Sequence, residues 1–459
     1  MFPTLGMRTA SQWRLPVFAT LYLLLLLSLG LSACSRIAPP AHLGELVVGI
    51  RDTPAFYQHE EGVASGYEYD LAAAFALELG LKLRVVPVHD PEQLARMLRK
   101  GSIHIAMSMP IVEDNSDLFF TPPLRESRYV LAYHADSFGP DSVSELAGHT
   151  VTLSKHSPAL TLLKQFLVKF KIETWDKGNE VSLLERLAQR KEDLVVTDSL
   201  HFDIASNFYP DLRIGLTLPG RVKLGWGFFD GESELYTKAL TFIEHARSAG
   251  TLARLEDRYF GHIRRINEIG IARFLDDVQT KLPDYRRDFQ IAQEITGIDW
   301  RLIAALAYQE SKWDPLATSF TGVRGIMMLT GETADRLGVK NRLDPKEAIR
   351  AGARYVADLA DDLPEEVKDP DRLWLALAAY NLGMGHMNGG RAIAESMGYD
   401  PNSWYEMKKV LPLLAKPEYY ARLKSGRARG GEAVIMVENI RTFYDTLSRF
   451  EPAYKPLMH

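Results

Sequence analysis

The chain has 459 residues, with 54 lysine and arginine residues against 59 aspartate and glutamate residues, and a formal net charge of −5 at pH 7. Hydrophobic residues make up 46% and charged residues 25%, which is typical of globular proteins and excludes a disordered chain. The length predicts two or three domains, and the near-neutral charge disfavours nucleic-acid binding because it supplies no basic field. A single cysteine excludes an internal disulfide and a cysteine-rich metal site.

The N-terminal segment begins with basic residues, continues as a long apolar stretch and ends in small residues and the one cysteine. This pattern is typical of an export signal, although the stretch is also long enough for a single membrane-spanning helix. Its last four residues, Leu31-Ser32-Ala33-Cys34, resemble a bacterial lipobox, which implies cleavage before Cys34 and attachment of a lipid to its thiol. Because Ser35 follows, the resemblance implies an anchor at the periplasmic face of the outer membrane. We expect a signal peptide over residues 1–33 and a lipidated tether over residues 34–43.

Short apolar runs alternate with helical periods in the region that follows the tether. The predicted strands are 46–50, 83–88, 103–108, 150–153 and 193–197, and the predicted helices are 71–79, 91–100, 183–190 and one late helix over 233–260. Strands that alternate with helices indicate α/β structure, and the two groups of strands indicate two lobes.

Three short motifs in this region carry a family resemblance. They are Gly66-Tyr67-Glu68-Tyr69-Asp70-Leu71, Asp193-Leu194-Val195-Val196-Thr197-Asp198, and Gly250-Thr251 followed by Tyr259-Phe260-Gly261. The set resembles the periplasmic solute-binding family for amino acids. The resemblance implies a two-lobed, periplasmic-binding-protein-like regulatory domain over residues 44–267 that closes on a ligand, with Asp198 on the ligand's amino group and Tyr67 in the same site.

The family's carboxylate-binding arginine is missing after the strand that ends at Ser108, unless Arg125 or Arg128 replaces it. Two hypotheses therefore stay open for the first domain. It binds a ligand such as a cell-wall peptide or an amino acid, or it is a scaffold whose cleft binds nothing. Asp198 also fits a helix-capping aspartate before Ser199.

From residue 268 onward the strand pattern stops and helical periods take over, with helices predicted over 274–282, 285–296 and 300–312. Asp299 is the predicted N-cap of the third helix. Glu310 lies on the same face of that helix as its apolar stripe. A buried carboxyl has a raised pKa, which suits a proton donor near neutral pH, whereas a glutamate in a last turn can also reach solvent.

Four further motifs stand in order along this region. They are Gln309-Glu310-Ser311-Lys312-Trp313-Asp314-Pro315, Gly322-Val323-Arg324-Gly325-Ile326-Met327-Met328-Leu329-Thr330, Ala378-Ala379-Tyr380-Asn381-Leu382-Gly383-Met384-Gly385-His386 and Val437-Glu438-Asn439-Ile440. The set resembles the lysozyme-like soluble lytic transglycosylase family. The resemblance implies a mainly α-helical, lysozyme-like domain over residues 268–459.

What this resemblance implies is a murein lyase that cleaves between N-acetylmuramic acid and N-acetylglucosamine and leaves anhydromuramic acid ends. Glu310 would be its single general acid/base, and the substrate-binding residues would be Ser311, Met328, Tyr380 and Asn381. Met328 and Met436 stand where many relatives have glutamine and tyrosine. Glu438 and Asn439 fit a helix surface as well as a site.

The expected partners are peptidoglycan glycan strands, an outer-membrane lipid through Cys34 and a ligand in the first domain, without nucleic acid. No HExxH, GxxxxGK[ST] or GxGxxG motif occurs, so neither a metal nor a cofactor is expected. A hypothesis from another class is a lipoprotein sensor that holds peptidoglycan fragments without cutting them.

Overall fold

The computed structural model describes residues 36–455 except 61, 112–116, 230–232, 264 and 320–321. The predicted signal peptide and Cys34 lie outside the described residues. None of the helices described is long and apolar enough to cross a membrane.

The first domain alternates strands and helices. Its strands are β1 (Glu45–Arg51), β2 (Gln58–Glu60), β3 (Val63–Ser65), β4 (Lys82–Val88), β5 (Ile105–Pro110), β6 (Phe119–Phe120), β7 (Arg125–His134), β8 (Thr150–Ser154), β9 (Lys171–Trp175), β10 (Leu194–Asp198) and β11 (Leu212–Phe228). Its helices are α1 (Pro40–Leu43), α2 (Tyr67–Glu78), α3 (Pro91–Lys100), α4 (Ala159–Lys164), α5 (Glu180–Ala188), α6 (Ser199–Ser206), α7 (Glu234–Ser248) and α8 (Thr251–Phe260), with a 3₁₀ turn at Val143–Leu146.

The strands are ordered β4-β1-β5-β11-β7-β10-β8-β9, with β6 on β11 and a separate β2-β3 pair. In one lobe β1 is parallel to β4 and β5, and in the other β8 is parallel to β10 and β9. The antiparallel strands β7 and β11 join the two halves, because β11 pairs with β5 near one end and with β7 along the rest of its length. The predicted two-lobed α/β architecture is confirmed.

The single late helix predicted over 233–260 is wrong, because the structure has two helices there, α7 and α8. Gly250, between them, has φ +72°, a left-handed conformation that ends a helix and that glycine adopts without a Cβ penalty.

The second domain is mainly helical, as expected. Its helices are α9 (Glu268–Thr280), α10 (Leu282–Thr296), α11 (Trp300–Ser311), α12 (Gly331–Arg336), α13 (Pro345–Asp361), α14 (Asp371–Leu382), α15 (Met384–Ser396), α16 (Trp404–Val410), α17 (Pro417–Tyr420) and α18 (Gly430–Phe450), with a 3₁₀ segment at Leu411–Ala415. Helix α11 lies at the centre of the core, packed against α10, α13 and α18, and every residue from Trp300 to Tyr308 is buried.

The two domains contact each other through α8, which packs on α16 and near α18 of the helical domain. Arg258 of α8 contacts Asp70 of its own domain at 3.3 Å and Asp371 of α14 at 2.9 Å. Asp257 accepts a hydrogen bond from Lys408 of α16. The last helix of the first domain is thus bound by charged groups of the second.

Candidate active site

Glu310 lies in the last turn of the central helix α11. The helix begins at Asp299, whose side chain accepts a hydrogen bond from the backbone N–H of Arg301 at 2.8 Å. It ends at Lys312, a left-handed residue with φ +57°. The helix bounds agree with those predicted to within one residue, and they place Glu310 at the point where the buried helix reaches a loop.

The electrostatic surroundings of the Glu310 carboxyl favour its neutral form. Burial raises the pKa of Glu310 to about 7, and the positive charge of Lys312 opposes that shift. Within the described part of the chain this carboxyl has no hydrogen-bond partner, so it is free to contact a bound molecule. A carboxyl of this pKa exchanges a proton readily at neutral pH.

Tyr380 lies at the end of a second helix, near Glu310. Helix α14 ends before Gly383, whose φ of +81° stops the helix, and Tyr380 lies in its last turn. The Tyr380 hydroxyl donates to the carbonyl of Met327 at 2.7 Å. Burial first, and then the negative charge of Glu310, raise the pKa of Tyr380 well above its usual range. The two side chains are therefore electrostatic neighbours, with the tyrosine held as a neutral donor.

Ser311 fixes the adjacent turn instead of pointing freely into a site. Its Oγ lies 2.8 Å from the carbonyl oxygen of Ile326 and 3.1 Å from that of Ala307, so its proton is used by the backbone. Gly325 opens this turn with φ +83°, and a Cβ there would lie 1.8 Å from the carbonyl oxygen of Arg342. Only glycine fits this position.

The structure thus places Glu310, Ser311, Tyr380 and the turn that contains Met328 around one region. Met328 is partly exposed and has φ +47°. Asn381 is exposed next to Tyr380, at the end of α14. Met436 is buried, so its side chain packs in the core. Lys312 was not predicted from the sequence as a site residue, yet its positive charge lowers the pKa of Glu310.

Glu438 is a buried residue and does not lie on the helix surface. It is 1% exposed, and its Oε1 accepts hydrogen bonds from Trp404 Nε1 at 2.7 Å and Arg441 Nη1 at 2.8 Å. Burial would raise the pKa of Glu438, but Arg441 and Lys408 together lower it. Asn439 is the member of this motif that contacts α11, since its Nδ2 donates to Gln309 Oε1 at 3.3 Å.

In the first domain, the structure places Asp198 in a saturated hydrogen-bond network. It caps α6 by accepting from the backbone N–H groups of Leu200 at 3.1 Å and His201 at 3.2 Å. It also accepts from Ser127 Oγ at 3.0 Å and lies 2.5 Å from His201 Nδ1. The capping role that the sequence left open is therefore present.

The cleft between the two lobes is closed by the protein's own side chains. Arg51 of β1 donates to Glu180 at 3.0 Å and lies 2.8 Å from His201 Nε2, both in the other lobe. The cavity that remains beside Asp198 has a volume of about 30 Å³, enough for about one water molecule. An amino acid cannot enter unless the lobes move.

Tyr67 does not line that cavity. It is 1% exposed in the core of the first lobe, with its ring centroid 5.2 Å from the guanidinium of Arg125. Arg125 lies 3.6 Å over the ring of Phe260 and donates to Glu256 at 2.9 Å. Arg128 is exposed. Arg125 is an electrostatic neighbour of both Tyr67 and Asp198, but neither Tyr67 nor Arg125 lines the small cavity beside Asp198 in this closed form.

One group of side chains has a donor set that suits a metal ion. Asp90 and Glu92 of the first lobe meet His156 of the second, with His156 Nδ1 2.5 Å from Glu92 Oε2. Arg96 lies 3.3 Å from Glu92 and 3.7 Å from Asp90. Arg96 and His156 each contact both carboxylates, so the group forms a polar network between the lobes.

Comparison with known proteins gives matches over both domains. A family model described as bacterial extracellular solute-binding proteins, family 3, matches residues 46–262, and one described as transglycosylase SLT domain matches residues 288–402. A protein of Thiobacillus denitrificans named membrane-bound lytic murein transglycosylase F is 45% identical over 447 residues, which cover 95% of this chain and 94% of that protein. One of Nitrosospira multiformis with the same name is 42% identical over 414 residues, covering 89% and 86%. Among solved structures, a mutant of ArgBP from T. maritima is 23% identical with a TM-score of 0.44, covering 48% of this chain and 97% of that one.

Proposed function

The chain belongs to the membrane-bound lytic murein transglycosylase F family and is a peptidoglycan lytic transglycosylase, and on this premise we propose that Glu310 is its single general acid/base. The observation that carries the proposal is the half-buried carboxyl of Glu310, whose pKa burial raises to about 7. Such a group is present in both protonation states at neutral pH, which suits proton donation and proton removal in turn. Family membership also favours an enzyme over a non-catalytic sensor.

In the proposed reaction, protonated Glu310 donates its proton to the glycosidic oxygen between N-acetylmuramic acid and N-acetylglucosamine while the bond from C1 to that oxygen breaks. The C6 hydroxyl of the muramic acid then attacks C1, and the Glu310 carboxylate takes the hydroxyl proton. The products are an N-acetylglucosamine hydroxyl and a 1,6-anhydromuramic acid end. No water is consumed, and the carboxyl regains its proton.

The surroundings of Glu310 support a mechanism with one carboxyl. Glycosidases that use two carboxyls hold them roughly 5–9.5 Å apart, so that the charges of the two groups influence each other. Among the described residues, Lys312 is the charged group that shifts the pKa of Glu310, and no carboxylate does so. An attacking hydroxyl from the substrate replaces the second carboxyl in the proposal.

The neighbours of Glu310 receive supporting roles in the same proposal. Tyr380 is a positioning residue that holds the Met327 carbonyl, and Ser311 holds the Ile326 carbonyl from the other side. Together they fix the turn that presents Met328 to the glycan strand. Asn381, which is exposed beside Tyr380, contacts a sugar of the substrate.

Lys312→Met is expected to move the alkaline limb of the pH profile to higher pH. Catalysis begins with protonated Glu310, so kcat/KM falls as pH rises through about 7, the pKa of that carboxyl in the free enzyme. Removing the positive charge that opposes this raised pKa raises it further. The measurement is kcat/KM on solubilised peptidoglycan from pH 5 to 9, with Lys312→Arg as the control that keeps the charge. An unmoved alkaline limb in Lys312→Met would contradict the assignment.

The proposed anchor is a lipid on Cys34. This thiol is the only one in the chain and follows an export-signal pattern, and a thioether-linked lipid requires a cysteine sulfur. Two or three acyl chains bury enough methylene groups for stable attachment to the outer membrane.

The first domain is proposed to bind a small zwitterionic ligand, an amino acid or a cell-wall peptide, in an opened form of its cleft. In the closed form, Arg51 and His201 occupy the space beside Asp198. A ligand with a cationic amino group would replace the cationic Arg51 in that network. Binding therefore requires the contact between Arg51 and Glu180 to break.

Asp198→Ala is expected to weaken ligand binding about 10- to 100-fold, because a hydrogen bond to a charged group contributes about 1.5–3 kcal/mol. Calorimetry with free amino acids and wall peptides measures this, with Asp176→Ala, an exposed residue of the same lobe, as the control. Unchanged affinity in Asp198→Ala would place the ligand elsewhere. No heat from any of these compounds with the unmodified protein would support the scaffold hypothesis.

A further inference from the structure

The segment that follows Cys34 is held on the surface of the first lobe. The backbone N–H of Ile37 donates to the carbonyl of Gly101 at 2.8 Å. The guanidinium of Arg36 lies 4.2 Å from the ring centroid of Phe229. Ile37 also packs against a buried cluster of the same lobe. The start of the described chain is therefore fixed relative to the domain and does not act as a free linker.

His104 adds a directional contact to this attachment. Its Nδ1 accepts from the backbone N–H of Val47 at 3.0 Å, so its Nε2 carries the proton and donates to the carbonyl of Ala38 at 2.9 Å. Burial lowers the pKa of His104, which favours this neutral form. The imidazole thus links the tether, through Ala38, to strand β1, through Val47.

A mainly apolar cavity opens beside the attached tether, with a volume of about 390 Å³. This volume is within the range of roughly 300–1,000 Å³ that small-molecule sites have. Arg36 and Ile37 form one wall, and the side chains opposite include Leu79, Leu81, Phe229 and Leu235, which stay partly exposed. Partly exposed apolar side chains that line one concave surface are typical of a groove that binds an apolar ligand.

We propose that this cavity holds one acyl chain of the lipid attached to Cys34. The inference rests on the proposed lipid anchor. Two peptide units, which together span at most about 8 Å, separate Cys34 from Arg36 along the chain. Arg36 itself lines the cavity. An acyl chain attached at that distance has a far higher effective concentration at the cavity than a free membrane lipid.

The other acyl chains of the anchor remain in the bilayer in this arrangement. The lobe face around the cavity then lies against the membrane surface, because the lipid leaves the protein at that face. The orientation of the first domain relative to the membrane is set by the bound tether and the seated chain together.

Photocrosslinking in membranes tests the proposal. Cells that make the full chain are grown with a fatty acid that carries a diazirine near its methyl end, and isolated membranes are irradiated and digested. Mass spectrometry before irradiation shows whether Cys34 carries the photoreactive chain. After irradiation, we expect the Cys34 peptide to be joined through its lipid to peptides that contain Leu81 or Leu235.

Leu235→Trp, which fills the cavity, is expected to lose this crosslink, while Leu167→Trp at a fully exposed position keeps it. A lipidated Cys34 without crosslinks to the cavity in the unmodified protein would overturn the proposal. So would cavity peptides joined to phospholipid instead of the Cys34 peptide. A Cys34 without lipid would instead contradict the proposed anchor, and with it the proposal that an acyl chain of that anchor occupies the cavity.

Discussion

Glu310→Gln is expected to lower kcat on peptidoglycan at least about 10²- to 10⁴-fold, the contribution of a general acid/base. An amide has nearly the same shape as a carboxyl but cannot donate and then remove a proton. The same change is expected to stabilise the fold at pH 8 by up to about 3 kcal/mol, because the pKa of Glu310 is raised from 4.5 to about 7. That raised pKa makes the folded state lose stability, relative to the unfolded state, as pH rises from about 4.5 to about 7.

Release of soluble fragments from purified peptidoglycan measures the activity, and urea unfolding at pH 5 and pH 8 measures the stability. Glu395→Gln, an exposed glutamate on α15, is the matched control and is expected to change neither. A Glu310→Gln enzyme with full activity would refute the assignment of Glu310. Lost activity together with lost stability at pH 8 would indicate a structural role instead.

Arg441→Met is expected to destabilise the protein by about 3–5 kcal/mol. It removes the arginine whose positive charge offsets the negative charge of the buried Glu438 carboxylate. The two side chains are 1% and 3% exposed and pair at 2.8 Å. Arg441 also donates to the backbone carbonyl of Asp257 at 3.0 Å, across the contact between the domains. Urea unfolding followed by tryptophan fluorescence measures the loss, since Trp404 contacts the same carboxylate.

The chain offers a matched control at the start of the same helix. Arg429 and Glu432 form an ion pair of the same sequence spacing at 3.2 Å, but their side chains are 72% and 60% exposed. Arg429→Met is expected to change the stability by at most about 1 kcal/mol. Adding Glu438→Leu to Arg441→Met is expected to restore most of the stability, since the buried negative charge that lost its arginine is then gone. A double variant as unstable as the single one would show that packing, and not charge, dominates.

Helix bounds were predictable where local capping sets them. Helix α3 is observed over the predicted residues, because Asp90 caps its start and Gly101, with φ +66°, ends it. Helix α11 follows from Asp299 in the same way. The joining strands β7 and β11 were not predicted, since β11 contains Pro219 and several glycines and shifts its register twice. Its pairing depends on residues far away in the chain, which periodicity does not reveal.

The same limit applies to the candidate sites. The glutamate in the apolar stripe of α11 was identifiable from spacing, and its raised pKa follows from burial. The closure of the first-domain cleft could not be predicted from the sequence, because Arg51 contacts Glu180 and His201, which are 129 and 150 residues away in the chain. The sequence also left open whether Glu438 lies on a helix surface or in a site, since only the folded chain brings Trp404 and Lys408 beside it.

Mass spectrometry of the fragments that the lipidated, full-length enzyme releases from purified peptidoglycan tests the proposed mechanism directly. The proposed mechanism yields muramic acid ends in the 1,6-anhydro form, each lighter by one water than the product of hydrolysis. It also predicts that Glu310→Gln releases none of them. Reducing muramic acid ends would contradict it, because they would require a water molecule where the proposed mechanism uses the substrate's own C6 hydroxyl.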